Sequence, residues 1–159
     1  ARHNVVRKIK NRTTIILVML LISIMVSWVI WGNLSVETTK LTVTSKDCLE
    51  AFDKFSIAHI SDLHNAEYGK NNEKLIDILE AESPNIIAIT GDLIDSTITN
   101  LEVALSFAQQ AVKIAPCYFV TGNHEAWIGS QYEELKTSLQ NTGITVLQDE
   151  AIELNYGDV

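Results

Sequence analysis

Basic side chains are scarce along most of this chain of 159 residues. Five of its 12 lysines and arginines fall within residues 1–12, which contain no acid, while the remaining basic residues share the rest of the chain with 20 acids. Proteins that hold nucleic acid by its phosphate backbone need clustered Lys and Arg, so the acidic body argues against a nucleic-acid partner. The same segregation of charge indicates two environments rather than one globular unit.

The chain also lacks the marks of several common protein classes. It has no internal repeat and no low-complexity tract, and no Gly-rich phosphate loop follows any predicted strand, which argues against a P-loop or dinucleotide-binding protein. Its 2 cysteines, Cys48 and Cys117, permit one disulfide in an oxidising compartment, or they are two small buried apolar residues.

Charge is absent altogether from Thr13 to Trp31. This stretch also lacks proline, and it is close to the roughly 20 residues that cross a bilayer as a helix. Trp28 and Trp31 lie at its distal end, where aromatic rings favour the membrane interface. A cleaved signal peptide is the alternative, but no A-x-A-like cleavage pattern follows the run. We therefore predict an uncleaved membrane anchor at residues 13–31.

The anchor divides the chain into four predicted parts. They are a basic cytoplasmic arm at residues 1–12, the anchor at 13–31, a linker with an edge strand at 32–50, and a folded domain at 51–159. Because basic flanks stay on the cytoplasmic side of a membrane, we expect a single-pass protein with a cytoplasmic N-terminus and an extracytoplasmic domain. The sequence does not predict an oligomeric state.

The folded part alternates between short apolar, β-branched runs and amphipathic segments. This alternation predicts an α/β fold with a mainly parallel sheet. The predicted strands are Leu41–Thr44 at an edge, Phe55–Ile60, Ile86–Thr90, Cys117–Thr121, Ile144–Leu147 and Ala151–Leu154. The predicted helices are Lys74–Ala81, Leu101–Ile114 and Tyr132–Gln140, the last of them ended by Gly143.

Three polar segments directly follow three of these strands at nearly equal spacing. A separation of about 30 residues corresponds to one strand–helix–strand unit, and parallel strands bring their carboxyl ends to one edge of the sheet. The side chains expected to converge there are Asp62, His64, Asp92, Asn123 and His124. Carboxylate, amide and imidazole groups that converge in this way predict a metal site.

With their neighbours, the three segments resemble the first three motifs of the calcineurin-like metallophosphoesterases. They are Ile60–Asn65, Thr90–Asp95 and Thr121–Glu125. The resemblance covers about the first half of that domain, and the anchored arrangement looks like the bacterial membrane-bound branch of the family. It implies the N-terminal half of a two-sheet sandwich flanked by helices, and hydrolysis of phosphate esters by water attack with two divalent metal ions. Manganese, iron and zinc all suit such ligands.

The resemblance also implies a role for each metal-binding residue. Asp62 and His64 hold the first ion, and Asn123 binds the second ion through its amide oxygen. Asp92 bridges both ions, since a carboxylate has two oxygens to share. Two such cations clamp the phosphoryl group and activate the attacking water.

Two further residues take catalytic roles by the same resemblance. His124 is the general acid, or a cationic stabiliser, at the leaving-group oxygen, and Asp95 orients its ring through a hydrogen bond. Glu125 is expected behind the ligands or as a helix-start acid, and Asn65 is expected to contact substrate or a ligand. His59 is expected to pack within its strand.

The chain departs from the family in one respect, because no histidine follows His124. The family completes its site with histidines from the second half of the domain, so we expect the functional protein to continue past Val159 and this chain alone to be inactive or nearly so. The alternative is a truncated, non-catalytic anchored domain that binds a partner. The expected substrate is a phosphorylated small molecule or lipid, as a monoester, diester or pyrophosphate.

Overall fold

The computed structural model describes the backbone of residues 2–156 and the side chains of residues 12–33 and 35–156. The chain divides into two units, one ending at Glu37 and the other beginning at Thr38. The first is the helix α1, Arg2–Leu34, whose segment Arg12–Asn33 is long and apolar enough to cross a membrane. The predicted apolar helix is therefore present. The side chains of the basic arm, apart from Arg12, lie outside the described residues.

The second unit is a parallel sheet with helices between its strands. Its strands are β1 (Ile57–Ile60), β2 (Ile86–Thr90), β3 (Cys117–Val120) and β4 (Thr145–Leu147), paired in the order β1-β2-β3-β4. Its helices are α2 (Glu73–Glu82), α3 (Leu101–Ala111), α4 (Asn123–Trp127) and α5 (Gln131–Thr142). All three strand pairs are parallel, which confirms the predicted α/β class and is consistent with part of a metallophosphoesterase domain.

One face of this sheet carries the core. Ile87, Ile89 and Phe119 alternate with less buried neighbours along β2 and β3, and each is almost fully buried. The buried helix residues Phe107 of α3 and Leu135 of α5 belong to the same core, and α3 packs beside α5. Burying an aliphatic or aromatic side chain of this size contributes about 1.5–3 kcal/mol, so this single layer of contacts fixes the positions of the strand ends.

Two predicted strands are wrong. Residues 41–44 pair with no strand in the part of the chain that the structure describes, and Leu41 and Val43 are 87% and 91% exposed. Residues 151–154 likewise lack sheet pairing. Both segments have the composition of a strand, but neither finds a neighbour whose backbone groups it can bond. An isolated strand has no means of satisfying its N–H and C=O groups except water.

The predicted helix ends were close to the observed ones. The helix predicted at Leu101–Ile114 stops at Ala111, because the N–H groups of Lys113 and Ile114 bond three residues back instead of four and tighten the chain into turns. The last helix ends as predicted, with Gly143 at φ 102° capping α5.

Candidate metal centre

Three loops at the carboxyl edge of the sheet bring the predicted ligands together. His64 Nε2 lies 3.9 Å from Asp92 Oδ2 and 3.8 Å from Asp62 Oδ1. The imidazoles of His64 and His124 meet edge to face with their centroids 4.4 Å apart. One ligand atom from each of His64, Asp92 and His124 lies within 4.8 Å of the other two. Convergence at this edge is what the spacing predicted.

This arrangement of donors fits a transition-metal ion. Ligand atoms of one ion lie at most about 4.2 Å apart when each is roughly 2.1 Å from it, so small side-chain rotations would close the observed 4.8 Å. Two imidazoles and a carboxylate also match the preference of such ions for mixed nitrogen and oxygen ligands. His64, Asp92 and His124 can therefore hold a metal.

The other two predicted ligands, Asp62 and Asn123, are not members of this group. Asp62 is exposed, and its Oδ2 accepts a hydrogen bond from the hydroxyl of Ser61. Asn123 is exposed at the first position of α4. Both residues lie on the same sheet edge as the His64–Asp92–His124 group, so their assignment as ligands stays a prediction.

The ligand loops have an unusual backbone conformation. Asp62, His64 and Asp92 have φ of 57°, 47° and 51°, in the left-handed region that costs an L-residue about 1–2 kcal/mol. Hydrogen bonds between the loops hold this conformation: the N–H of Asp62 donates to Gly91 O at 3.2 Å, and the N–H of His64 donates to Asp92 O at 2.9 Å. Strain of this kind concentrates at functional sites, where the surrounding structure enforces it.

Two glycines allow the loops after β2 and β3 to cross closely. A Cβ on Gly122 would lie 2.2 Å from Asp92 Oδ1 and 2.6 Å from Asp92 N. A Cβ on Gly91, whose φ is +86°, would lie 2.6 Å from Gly122 Cα. No side chain therefore fits between the two loops at these positions.

Glu125 is the buried charge behind the site. Its side chain is fully buried, and Oε2 accepts hydrogen bonds from the N–H groups of Asp92 at 2.8 Å and Gly122 at 2.7 Å. Oε1 accepts from the N–H of Ile94 at 3.2 Å. A buried carboxylate is tolerated only when such donors replace water. Glu125 thus ties α4 to the loop that follows β2, which is the position behind the ligands expected for it.

The carboxylate of Asp92 is oriented from the same helix. The backbone N–H of His124 donates to Asp92 Oδ1 at 2.9 Å, while Oδ2 is the oxygen 3.9 Å from His64 Nε2. Because each carboxylate oxygen has two lone pairs, Oδ1 can accept this bond and still face a cation. The arrangement is compatible with the bridging role predicted for Asp92.

The predicted hydrogen bond between Asp95 and His124 is wrong. Among the described residues, His124 Nδ1 accepts from the backbone N–H of Ser96 at 3.0 Å, and Asp95 Oδ1 instead accepts from the hydroxyl and N–H of Thr97 and the N–H of Ile98. The hydroxyl of Thr97, then the N–H groups of Thr97 and Ile98, lower the pKa of Asp95 from 3.8 to about 2. Asp95 shapes the turn that presents Ser96 to the imidazole.

Asn65 and His59 each contact a neighbouring segment, and the expected contact of Asn65 with substrate or a ligand stays a prediction. Asn65 Oδ1 accepts from the N–H of Asp95 at 2.7 Å, and its amide donates to Asn100 O at 2.6 Å, so the side chain braces the loop after β2. His59 lies on the exposed face of β1, where its Nε2 is 2.5 Å from Thr90 Oγ1.

Comparison with known proteins adds an independent result. The family model described as calcineurin-like phosphoesterase matches residues 55–156. The chain is 29% identical over 123 residues to the "Uncharacterized metallophosphoesterase YkoQ" of Bacillus subtilis (strain 168), covering 75% of this chain and 45% of that protein. It is 30% identical over 107 residues to an "Uncharacterized metallophosphoesterase" of Aquifex aeolicus (strain VF5), covering 64% and 39%. The chain therefore spans less than half the length of these relatives.

Proposed function

This chain belongs to the calcineurin-like phosphoesterase family, and on that premise we propose that it hydrolyses phosphate esters at a centre of two divalent cations on a membrane-anchored domain. The observation that carries the proposal is the convergence of His64, Asp92 and His124 within 4.8 Å at the ends of three parallel strands. Three separate loops supply this group, and the spacing of the family motifs accounts for all three.

The residues divide into two sets of metal ligands. His64 and Asp62 would hold the first cation, Asn123 would hold the second, and Asp92 would contribute a ligand to both. Bound divalent cations supply Lewis-acid activation of water and of the phosphoryl group. Manganese, iron and zinc are compatible with this mixture of imidazole, amide and carboxylate ligands.

In this proposal His124, the third member of the converging group, is assigned to the leaving-group side and not to a metal ion. Since its Nδ1 accepts the N–H of Ser96, the proton of the neutral ring resides on Nε2. That N–H donates a hydrogen bond to the phosphoryl or leaving-group oxygen. For His124 to act as an imidazolium acid, Nδ1 would have to accept a proton in place of the hydrogen bond from Ser96.

Membrane anchoring supports the choice of substrate. Segment Arg12–Asn33 of α1 has the length and hydropathy of a spanning helix, and the basic residues before it favour a cytoplasmic N-terminus. The domain then faces outward, where lipids and other envelope molecules carry phosphate esters. We propose a phosphorylated lipid or small molecule as substrate.

Hydrolysis by protein purified from its own membranes tests the proposal. The intact mass of the purified protein is measured first. Release of phosphate from an aryl phosphate is then followed with added Mn²⁺. Asp92→Asn should lower turnover by at least about 100-fold, or ~2.7 kcal/mol of barrier, because it weakens both cation sites. The exposed Asp77→Asn on α2 is the matched control. Near wild-type turnover in Asp92→Asn would refute the bridging role, and metal binding without hydrolysis would favour a non-catalytic binding domain.

A further inference from the structure

Two large apolar side chains are exposed at the edge of the sheet that holds the metal-binding group. Trp127, the last residue of α4, is 66% exposed, and its ring lies 5.1 Å from that of His124. Ile98 is 78% exposed in the loop after β2, in the turn that Asp95 forms and that presents Ser96 to His124. Both side chains are therefore attached to the segments that position His124, the residue proposed to face the leaving group.

The same edge of the sheet carries acidic side chains without lysine or arginine. The three segments that follow the strands at this edge, residues 61–69, 91–100 and 121–130, contain no lysine or arginine but several acids. Within these segments, the charge of a phosphoryl group would be compensated by bound cations and by the imidazoles of His64 and His124, with no lysine or arginine beside them. A second phosphate on the substrate would meet acidic side chains without a lysine or arginine partner, and like charges in proximity are unfavourable.

We propose that Trp127 and Ile98 form an apolar rim that receives the organic group of the substrate, so that the site takes phosphate esters of apolar alcohols. An indole provides a large, rigid apolar surface at little cost in conformational entropy. An alkyl, aryl or lipid chain fits this rim, whereas a nucleoside polyphosphate or a pyrophosphate brings added charge that none of these three segments offsets with a lysine or arginine. This inference rests on the proposed function, since it assigns the leaving-group side from His124.

Binding of non-hydrolysable phosphonates tests the rim without relying on turnover. The probes are hexylphosphonate and methylphosphonate, titrated calorimetrically into the Mn²⁺-loaded intact protein in nanodiscs. Wild-type protein should bind the hexyl compound at least about tenfold more tightly, since each buried methylene is worth about 0.8 kcal/mol. Trp127→Ala should remove most of this ratio, and Trp127→Phe should retain it.

The matched control is Ile57→Ala, which removes an exposed apolar side chain at the opposite end of the sheet. It should keep the wild-type ratio. Equal affinities for the two phosphonates in wild-type protein, an unchanged ratio in Trp127→Ala, or tighter binding of inorganic pyrophosphate than of hexylphosphonate would each overturn the proposal.

Hydrolysis then separates this inference from the proposed function. Hexyl phosphate in solution and phosphatidic acid in phosphatidylcholine vesicles distinguish a soluble from a lipid source of the same apolar chemistry. The rim is supported if either substrate is hydrolysed in preference to glycerol phosphate and if Trp127→Ala abolishes this preference by raising the KM. Turnover with no such preference overturns the rim alone, while tight hexylphosphonate binding without any turnover overturns the proposed function alone.

Discussion

Replacing Gly122 by alanine should disable the metal centre without straining the backbone. The φ of Gly122 is −98°, which any residue adopts, so alanine adds only its methyl group. That methyl would lie 2.2 Å from Asp92 Oδ1 and 2.6 Å from Asp92 N. The added methyl group clashes with the backbone nitrogen of Asp92 as well as with its carboxylate. Rotating the Asp92 side chain therefore does not relieve the clash, and the loop after β2 must move.

The size of this movement sets the expected effect. Ordinary contacts of a Cβ begin near 3.4 Å, so Asp92 must shift by roughly 1 Å, a misplacement that can cost about 100-fold in rate. We expect the Mn²⁺ dissociation constant of Gly122→Ala to rise at least tenfold. Calorimetric titration of the intact protein in nanodiscs measures the constant, and phosphate release measures the rate.

Gly129→Ala is the matched control for this substitution. A Cβ at Gly129 meets nothing within 4 Å, but its φ is +57°, so alanine there adds strain of about 1 kcal/mol and no contact. It should lower thermal stability while leaving Mn²⁺ affinity within twofold of wild type. If Gly122→Ala bound Mn²⁺ as tightly as wild type, the close crossing of the two loops would not control the site.

Three other predictions follow from buried and hydrogen-bonded groups. Glu125→Gln can keep one oxygen for two backbone donors but turns an NH₂ towards the third, so it should lower the free energy of unfolding by about 2 kcal/mol in urea titrations. Cys48 is exposed, whereas burial raises the pKa of Cys117 to about 11. A membrane-impermeant maleimide should therefore label Cys48 and not Cys117 in intact cells, and no labelling of Cys48 before lysis would contradict an outward domain. The depressed pKa of Asp95, about 2, means that its stabilising hydrogen bonds persist above pH 4 and are lost as the pH falls through 2; carboxyl NMR of wild type and Asp95→Asn checks this.

The strands of the sheet were predictable because burial on one face demands apolar residues there. The bounds of β2 were predicted without error, and those of β1, β3 and β4 differ by one or two residues. Residues 41–44 and 151–154 have a similar composition and yet form no strand. A segment of this composition becomes a strand only where a neighbouring backbone can pair with it, and the sequence of the segment does not show whether such a neighbour is available.

The position of the site was predictable for a different reason. Chain direction in a parallel sheet places all three motifs on one edge whatever their side chains, so His64 and Asp92 had to converge. The partner of His124 could not be predicted in the same way, because it is the backbone N–H of Ser96. Every residue except proline has an N–H, and therefore the sequence contains no mark of which one will serve.

Glu125 shows how the motif around it works as one unit. The carboxylate needs donors inside the protein, and it finds them on Asp92 and Gly122, at the crossing where a side chain on Gly122 would collide. Gly122 brings the loops close enough for Glu125 to reach across, and Glu125 holds the loop whose carboxylate the N–H of His124 orients. Since each contact depends on the same 1 Å placement, energetic effects at these positions should be strongly non-additive. The segment Gly122–Glu125 thus acts as one structural unit that sets the position of Asp92.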